Sequence, residues 1–399
     1  MTISNELIIN KSDSLGKYLI ETRRFLHENP ELSGIEYDTS KFLKDEVSKL
    51  GLEIKDVEGT GFYAILDTGK PGKTIGLRTD IDALPIKESE SNLANIRKTR
   101  SRLEGVFHAC GHDGHMAILL TAARILNDIK NHLSGRIIFI FEEGEEIGSG
   151  IDKMIEALKN ENIDAIYGNH LASFLESKMI SIDPGPVMGG SIRVDFSVRG
   201  KGGHGARPDL SISPIFATSN ILSGLTSAWA NRIDVTKTVT LGIGTIHGGT
   251  AANVIPDEVR VTGTLRYFDL DEGEKAIELV KKVGRLTAEA HDCEFIENNI
   301  DISTYPLIND DLLAKSAQAS IADIMPENLT KDVIWFASES FSKYKLISDI
   351  AFAFVGIKNE ELGSGAEHHN EYFDLDEDAL VVGVKAMVKF TVDFLNNKY

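Results

Sequence analysis

Residues Arg136–Phe141 read RIIFIF and carry almost no polar side chain, so a strand formed here has to be buried on both faces. Strands that are covered on both faces are typical of parallel sheets that lie between helices. Strand-like runs at Phe62–Asp67, Lys73–Arg78 and Ala165–His170, together with a helical run at His115–Ile129, surround this segment. The alternation of strands and helices predicts an α/β layer structure with a largely parallel sheet.

The pattern changes after the glycine-rich stretch Asp183–Gly190, because Ser191–Arg199 alternates strictly between apolar and polar side chains. The segments that follow read as helix, strand, strand, helix and strand, which completes the β-α-β-β-α-β order of a ferredoxin-like domain. We therefore predict one α/β domain formed by residues 1–186 and 303–399, with a smaller α+β domain of residues 187–302 inserted into it.

The charge balance limits the kinds of partner. The chain has 42 Lys and Arg against 61 Asp and Glu, which gives a formal net charge of −19 at pH 7. A surface this acidic repels phosphate groups, so the composition argues against a nucleic-acid or anionic-membrane partner.

Two further features concern the compartment. No apolar run approaches the roughly 18–20 residues that span a bilayer, and the N-terminus lacks the basic start and apolar run of a signal peptide. The only cysteines are Cys110 and Cys293, which excludes a disulfide scaffold although a single bridge is arithmetically possible. We expect a soluble cytoplasmic protein in which Cys293 is simply buried.

The densest chemical signal is the segment HACGHDGH, which lies just before a predicted helix. His108, Cys110, His112, Asp113 and His115 bring three imidazoles, a thiol and a carboxylate into eight residues. Borderline metal ions such as Zn²⁺ accept imidazole and thiolate together, so the segment predicts a metal site. The alternative is a helix N-terminus that is rich in small polar residues, with the cysteine as a core residue.

A run of acids follows the buried strand directly. Glu142, Glu143, Glu145 and Glu146 lie at the carboxyl end of that strand, where α/β proteins bind ligands. Two neighbouring carboxylates can divide labour, one binding a metal ion and the other accepting a proton from water. A solvated acidic loop is the alternative interpretation.

Weaker signals of the same kind occur at three other places. Asp80 and Asp82 follow a strand, where a carboxylate could bind a metal or orient a ligand imidazole. His170 ends another buried strand, and His368 and His369 form a pair in a loop flanked by Gly and Ser. Taken alone, His170 is better explained as a core histidine, and the aspartates are a weak signal because turns often contain Asp.

The inserted segment has two glycine-rich polar clusters, at residues 199–208 and 247–256. In the first, His204 and Arg207 are potential donors to a negative group, and the second contains Asn253. Neither is a dinucleotide-binding or phosphate-binding loop, since the required glycine spacings are absent. Ordinary turn chemistry is the alternative for both clusters.

Several of these motifs resemble, in the same order, the hippurate hydrolase / N-acyl-L-amino acid amidohydrolase family of dinuclear metallopeptidases, which includes auxin-conjugate amidohydrolases. The matching segments are HACGHDGHM, DIDALP, GKGGHGARP, GGTAANVIPDEV and HHNEYFDLDEDAL, and the likeness begins at RRFLHENPEL. The resemblance implies a phosphorylase/hydrolase-like zinc-exopeptidase catalytic domain of α/β class that holds two metal ions. It also implies that the ferredoxin-like α+β insertion is a lid and dimerisation domain, and that the protein is a homodimer.

The resemblance also implies a role for individual residues. Glu145 corresponds to the general base, Asp82 to the carboxylate beside the metals, and His204 to the lid histidine. Asn253 corresponds to a lid residue near the substrate, and Arg207 or another lid donor could hold a substrate carboxylate. The implied metal ligands, with Cys110 as a shared thiolate, are Cys110, His112, Glu146, His170 and His369. His368 is a close competitor for the last of these positions.

The implied activity is metal-dependent hydrolysis of N-acyl amino acids to a carboxylic acid and a free amino acid. The cofactor would be two divalent ions, Zn²⁺ or Mn²⁺, with Co²⁺ or Ni²⁺ possible. A deacetylase or dipeptidase on the same site, or a non-catalytic metal-binding protein of the same fold, are the alternatives.

Two departures from the family pattern stand out. Glu142, Glu143 and Gly144 replace the usual Gln-Pro-Ala, and the roles of the two extra acids are open. The run Glu339-Ser340-Phe341 replaces Glu-Asp-Phe in a region that shapes the pocket, which leaves the acyl group and the amino acid open.

Overall fold

The structure is a computed structural model that describes residues 3–398, and the chain divides into two compact units. The first unit comprises Met1–Gly185, Ile308–Val333 and Lys343–Tyr399, of which residues 1, 2 and 399 lie outside the described part. The second comprises Pro186–Leu307 and Ile334–Ser342.

The helices and strands are numbered along the chain. The helices are α1 Asn5–Ser14, α2 Gly16–Glu28, α3 Tyr37–Ser48, α4 His112–Asp128, α5 Ile151–Leu158, α6 Pro214–Arg232, α7 Leu270–Ala290, α8 Asp311–Ala322 and α9 Leu380–Leu395. The strands are β1 Glu53–Asp56, β2 Phe62–Asp67, β3 Thr74–Asp80, β4 Arg136–Glu142, β5 Ala165–Glu176, β6 Ile180–Ser181, β7 Gly185–Met188, β8 Gly190–Arg199, β9 Gly203–His204, β10 Val239–His247, β11 Val254–Ile255, β12 Glu258–Tyr267, β13 Glu294–Thr304, β14 Leu307–Asn309, β15 Leu329–Thr330 and β16 Asp349–Lys358.

The first unit is built on an eight-stranded sheet with the strand order β1-β2-β4-β3-β5-β16-β6-β15. Its central strands β4, β3, β5 and β16 are parallel, whereas β1 and β2 add an antiparallel edge. The segment RIIFIF forms β4 inside this sheet and is buried from Ile137 onward. The predicted mixed α/β layer with a largely parallel centre is therefore confirmed for this unit.

Helix α4 lies in the core of the first unit. Almost the whole of α4 is buried, and it packs against α2, α9 and β3 in one continuous apolar core. A helix that is apolar on nearly all sides requires this kind of central position. Its first turn, which begins at His112, is thereby fixed against the sheet.

The register of the parallel strands brings their carboxyl ends to one edge. Asp80 at the end of β3 lies opposite Glu142 at the end of β4, and His170 in β5 lies opposite Phe354 in β16. Side chains that follow these strands therefore converge at the same edge of the sheet, which is the usual ligand-binding edge of α/β proteins.

The second unit follows the element order β8, α6, β10, β12, α7, β13 and forms a four-stranded antiparallel sheet ordered β10-β12-β8-β13. Its own apolar core lies between the sheet and the two helices. The sequence analysis assigned residues 303–399 as a whole to the first domain, whereas the structure places Ile334–Ser342 in the second unit. The reason is a non-local pairing: the backbone of Trp335 bonds to Val187 and Gly189, at 2.9 and 3.2 Å.

Both cysteines are free thiols and both are buried, so the arithmetically possible disulfide is not formed. Cys293 lies in the core of the second unit, as expected. Within residues 3–398, none of the helices combines the length and the apolar character that a membrane span requires.

A candidate dinuclear metal centre

Five loops and strand ends of the first unit deliver the predicted site residues. Asp80 and Asp82 end and follow β3, Cys110 and His112 flank the start of α4, and His170 lies within β5. Glu145 and Glu146 form a short 3₁₀ turn after β4, and His369 belongs to the loop before α9. These residues are distant in sequence, and the sheet edge brings them together.

The thiol of Cys110 and two imidazoles form the first donor group. Cys110 Sγ lies 3.5 Å from His170 Nε2, and the ligand atoms of Cys110, His112 and His170 all lie within 4.8 Å of one another. His170 Nδ1 donates to the Leu171 carbonyl at 2.7 Å, so the lone pair of this ring is on Nε2. The buried strand β5 thus presents an imidazole lone pair to the thiol.

His112 is oriented from behind by Asp82. Its Nδ1 donates to the Asp82 carbonyl at 2.9 Å and lies 3.1 Å from Asp82 Oδ1, which leaves the lone pair on Nε2. His112 Nε2 is buried, has no hydrogen-bond partner among the described residues, and lies 3.7 Å from Glu146 Oε1. A carboxylate that fixes the tautomer and direction of an imidazole is typical of metal-ligating histidines.

Asp82 also supports the acidic turn. Its Oδ2 accepts a hydrogen bond from the Ser33 hydroxyl at 2.7 Å and from the backbone N–H of Glu146 at 3.1 Å. The structure therefore places Asp82 behind His112 and Glu146, which agrees in position with the role that the resemblance implies.

Glu146 joins two further donor groups. One consists of Cys110, Glu146 and His369, and the other of His112, Glu145 and Glu146, each with ligand atoms within 4.8 Å. Glu146 Oε2 lies 3.2 Å from His369 Nε2, while its Oε1 is buried and has no hydrogen-bond partner within the described chain. Glu145 and Glu146 are both partly buried.

The two neighbouring histidines of the late loop have different surroundings. His368 is the more enclosed, and its Nε2 accepts the backbone N–H of Ser173 at 3.2 Å. His369 has a left-handed backbone with φ 60°, donates its N–H to the Ala109 carbonyl, and leaves its side chain 51% exposed. The geometry therefore brings His369, rather than His368, to the donor atoms of Cys110 and Glu146.

The electrostatics of the cluster are those of a cation site. Burial and the neighbouring carboxylates of Glu146 and Glu145 raise the pKa of the Cys110 thiol well above its ordinary value. The pKa of His112 is also raised, because Asp80 and Asp82 outweigh the opposing effect of burial. A bound cation supplies the positive charge that holds a thiolate in such surroundings.

The donor set fits divalent ions of the Zn²⁺ and Mn²⁺ type. It combines a thiolate, three imidazoles and carboxylates, and borderline cations accept all three chemistries. Two of the buried atoms that have no hydrogen-bond partner within residues 3–398, His112 Nε2 and Glu146 Oε1, lie in this cluster and are lone-pair donors that a cation would satisfy.

Two titratable side chains of the motifs, His115 and Glu142, bind other protein groups instead of facing the donor cluster. His115 donates from Nδ1 to Asp80 at 2.7 Å and accepts the Leu171 N–H at Nε2, 2.9 Å away, so both of its nitrogens are used. Glu142 is fully buried and accepts hydrogen bonds from Arg78 Nε at 2.9 Å and the Tyr344 hydroxyl at 2.8 Å. The first extra acid of the run is thus a structural ion-pair residue.

The second extra acid, Glu143, is also structural. It accepts hydrogen bonds from the backbone of Thr60 and Gly61 and lies 2.8 Å from Lys153 Nζ. Neither Glu142 nor Glu143 belongs to a group of metal-donor atoms among the described residues.

Sequence reasoning missed a buried ionic network behind the HACGHD loop. His27 lies between two carboxylates, with Asp113 at 2.8 Å from Nδ1 and Glu88 at 2.8 Å from Nε2. Arg23 Nε lies 2.8 Å from the same Asp113 oxygen. Burial and the charge of Arg23 oppose protonation of His27, but the carboxylates of Asp113 and Glu88 outweigh them and raise its pKa. The available signal was the i, i+4 spacing of Arg23 and His27 on one helix face.

The remaining predicted residues belong to the second unit. His204 pairs with Val254 in the short β9–β11 ladder and accepts the Ala206 N–H, while the Asn253 carbonyl accepts the Gly205 N–H. Arg207 is exposed and makes a bidentate pair with Asp209, at 2.9 and 2.8 Å.

A second arginine of this unit escaped the sequence analysis. Arg266 is half-buried and donates to the Ser338 hydroxyl at 3.1 Å, and burial lowers its pKa. None of the ion pairs found within residues 3–398 involves Arg266. A desolvated guanidinium of this kind is a candidate anchor for an anion. Its sequence neighbourhood, TLRYFD, carried no signal beyond that of a strand end.

Known proteins match the chain over nearly its full length. The family model described as Peptidase family M20/M25/M40 matches residues 76–393. Thermostable carboxypeptidase 2 of Saccharolobus solfataricus is 33% identical, with 98% of this chain and 99% of that protein covered. IAA-amino acid hydrolase ILR1-like 5 of Arabidopsis thaliana is 32% identical, covering 98% and 90%. The crystal structure of the Bacillus subtilis YXEP protein, a dinuclear metal binding peptidase, is 29% identical with a TM-score of 0.83 and covers 96% and 99%.

Proposed function

The chain belongs to peptidase family M20/M25/M40 and is a metal-dependent amide hydrolase, and from that premise we propose that the donor cluster of its first unit is the catalytic centre. The observation that carries the proposal is the convergence of thiol, imidazole and carboxylate donors from five separate segments, in groups within 4.8 Å. Buried lone-pair donors normally have hydrogen-bond partners, so unpartnered ones that converge on one point indicate a bound group.

Two divalent ions would be held by five residues: Cys110, His112, Glu146, His170 and His369. When bound, such ions supply Lewis acidity, which polarises an amide carbonyl and makes water a stronger acid. Zn²⁺ suits the thiolate and imidazoles best, and Mn²⁺, Co²⁺ or Ni²⁺ are compatible with the same donors. Asp82 keeps His112 in the required tautomer through the contact at Nδ1.

Glu145 is the proposed general base. It lies beside Glu146 and His112 and is only partly buried, so it can exchange protons with a water molecule in the site. It accepts the proton of the attacking water and returns it to the leaving nitrogen, since an amide nitrogen departs only after protonation.

The proposed substrates are N-acyl amino acids. The similarity to an IAA-amino acid hydrolase supports a substrate of this class, and hydrolysis then yields a carboxylic acid and a free amino acid. His204 would stabilise the oxyanion and Asn253 would contact the substrate, both on the strength of the family resemblance. For the substrate carboxylate Arg207 is the predicted anchor, and Arg266 is a second candidate because it lacks the close carboxylate partner that Arg207 has.

The second unit is proposed to be the lid and the dimerisation domain. Strand β10 is the edge of its sheet, and beside it a groove of about 450 Å³ is lined by apolar side chains of α6 and β10 that include Leu222, Trp229 and Leu241. An unpaired edge with an adjoining apolar groove suits a second copy of the same chain. We expect a homodimer in solution, which light scattering would test.

The experiment that tests the function is release of free amino acid from a panel of benzoyl, acetyl, long-chain acyl and indolyl-acetyl amino acids. Each is assayed with the metal-free protein and after addition of Zn²⁺ or Mn²⁺. Metal-dependent hydrolysis is expected, and the preferred member identifies the acyl class. Hydrolysis of acetyl compounds alone would favour the deacetylase. A dipeptide assayed beside the panel tests the dipeptidase, which its hydrolysis alone would favour. Bound metal without any turnover would contradict catalysis.

A further inference from the structure

Glu36 is a fully buried carboxyl group that touches the turn carrying the proposed base. It stands at the N-terminal cap of α3, and its Oε1 accepts the backbone N–H of Gly144 at 2.8 Å. Gly144 has a left-handed backbone with φ 57° and directly precedes Glu145. The bond from Glu36 therefore anchors the first residue of the turn that presents Glu145 and Glu146.

The other oxygen of Glu36 faces a hydroxyl that it shares with a second carboxyl group. Thr60 Oγ1 lies 2.7 Å from Glu36 Oε2 and also 2.7 Å from Glu143 Oε2. A hydroxyl carries one proton, so Thr60 can donate to only one of the two oxygens. The second contact is a hydrogen bond only if the other carboxyl group itself carries a proton.

The surroundings decide which carboxyl group that is. Glu143 Oε2 already accepts the backbone N–H groups of Thr60 and Gly61, and its Oε1 lies 2.8 Å from Lys153 Nζ. These are the partners of an anion. Among the described contacts, Glu36 has no ion pair with Lys or Arg. The extra proton therefore belongs on Glu36, which donates to Thr60, while Thr60 donates to Glu143.

We propose that Glu36 is a positioning residue that acts as a neutral carboxylic acid: it donates to Thr60, accepts from Gly144, and so holds the turn that carries Glu145 and Glu146. The link to catalysis rests on the proposed function of Glu145. The protonation of Glu36 does not, because it follows from the contacts of Thr60 and Glu143.

The charges around Glu36 agree with this assignment. Glu143 lies across the Thr60 hydroxyl, Asp82 adds a second negative charge, and Lys153 is engaged by Glu143. Burial raises the pKa of Glu36 above its ordinary value of 4.5, and Asp82 acts in the same direction, while the backbone N–H groups of Gly34 and Glu36 oppose the shift. Burial also disfavours the anion of Glu143, yet Lys153 and Thr60 lower the pKa of that group.

The test compares three variants with a matched control in metal-loaded protein. Glu36→Gln keeps a donor toward Thr60 and an acceptor toward Gly144, so kcat should stay within about twofold of wild type. Glu36→Ala and Thr60→Val each remove the hydrogen bond between residues 36 and 60. The turn that carries Glu145 should then be misplaced, and kcat should fall about 10- to 100-fold. Thr60→Ser restores the hydroxyl and should restore activity.

The pH dependence of the urea midpoint reports on the protonation of Glu36. A residue that only fills space would not change this dependence. A carboxyl whose pKa is higher in the folded protein binds more protons there, so its contribution to stability is lost as pH rises through the window above 4.5. The wild-type midpoint should therefore fall relative to Glu36→Gln as pH rises. The control is the buried Glu46, whose pKa is lowered by its bonds to Lys49, Tyr18 and Arg124 although burial opposes it, so Glu46→Gln should give the opposite slope.

Infrared difference spectra supply a second readout that is independent of activity. The carbonyl band of a protonated carboxylic acid should be present at neutral pH in the wild type and absent from Glu36→Gln. A constant difference in midpoint at all pH values, together with no band lost, would overturn the protonation. Unchanged kcat in Glu36→Ala and Thr60→Val would overturn the positioning role. If neither the wild type nor any variant hydrolyses the panel, the proposed function is wrong. The urea midpoints and the infrared spectra still test the protonation of Glu36 in that case.

Discussion

Four glutamates lie within five residues at the carboxyl end of β4, yet the structure gives the first two and the last two different surroundings. Glu142 bonds to Arg78 and Tyr344, and Glu143 bonds to Lys153 and the backbone around Thr60. The last two, Glu145 and Glu146, face the imidazole and thiol donors of the candidate metal centre. Identical side chains of one run thus enter either structural ion pairs or a group of candidate metal donors.

The Gly144 turn is what separates the pairs. Its left-handed backbone ends the strand direction, so Glu142 and Glu143 remain in the sheet region while Glu145 begins the 3₁₀ turn toward the donors. A Cβ at position 144 would meet Ser149 Oγ at 2.0 Å, which rotation of the serine can relieve, so it is the left-handed backbone that favours glycine there. The comparison therefore predicts that the two pairs respond differently to the same substitution.

The largest difference should come from Glu145→Gln. Removal of a general base lowers kcat by about 10²–10⁴-fold, while the metal content should stay normal because the other donors are intact. The measurement is steady-state turnover alongside metal analysis of the same sample. Its matched control is Glu143→Gln, which should keep kcat per folded molecule. Near-normal turnover in Glu145→Gln would remove Glu145 from its role.

The next largest effect should be a loss of metal affinity on substitution of Cys110. The second buried cysteine, Cys293, provides the control. Cys110→Ser replaces a proposed shared ligand, and its loss in metal affinity should exceed the about 10–100-fold that is typical of losing an outer hydrogen-bond partner. Cys293→Ser, in the core of the second unit, should leave the metal content unchanged. Metal titration of both variants decides the point, and equal affinities would exclude Cys110 as a ligand.

Much of this arrangement could be predicted from the sequence. The apolar run of β4 predicted a buried strand, and the rule that ligands bind at the carboxyl ends of parallel strands then selected the acids and aspartates that follow. His170 and Glu146 were predicted from strand ends and His112 from the HACGHDGH segment, and the family resemblance then implied that all three bind metal. Strands β4 and β5 form where the apolar runs of the sequence predict them.

What the sequence could not predict depends on partners that are distant along the chain. Tyr344, which bonds Glu142, lies 202 residues away, and Thr60, which bonds Glu143, lies 83 residues away. No local pattern indicates which glutamate of the run meets which of them. The same holds for Trp335, whose backbone pairing with Val187 transfers a short segment to the second unit.

A smaller effect, on stability rather than on turnover, is expected at the first glutamate of the run. Glu142→Gln leaves the buried Arg78 its ion pair with Asp80 at 2.8 Å but removes the charge of its partner at Nε, and it weakens the bond from Tyr344. Loss of a charged acceptor in such a place should lower the free energy of unfolding by about 2–3 kcal/mol. Urea denaturation followed by circular dichroism measures it, and metal affinity serves as the control. A loss of metal with unchanged stability would instead place Glu142 in the metal centre.

The smallest effect on stability should be found for Glu143→Gln. The direction in which this effect changes with pH distinguishes Glu143 from Glu36. Burial opposes the anion, but the bonds from Lys153 and Thr60 lower the pKa of Glu143 below its ordinary value of 4.5. A carboxyl with a depressed folded pKa stabilises the protein above the ordinary value, and this contribution is lost as pH falls. The advantage of wild type over Glu143→Gln, about 1–2 kcal/mol at neutral pH for a bond to a charged group, should therefore shrink on acidification. An advantage that grew on acidification would mean that Glu143, and not Glu36, carries the proton shared through Thr60.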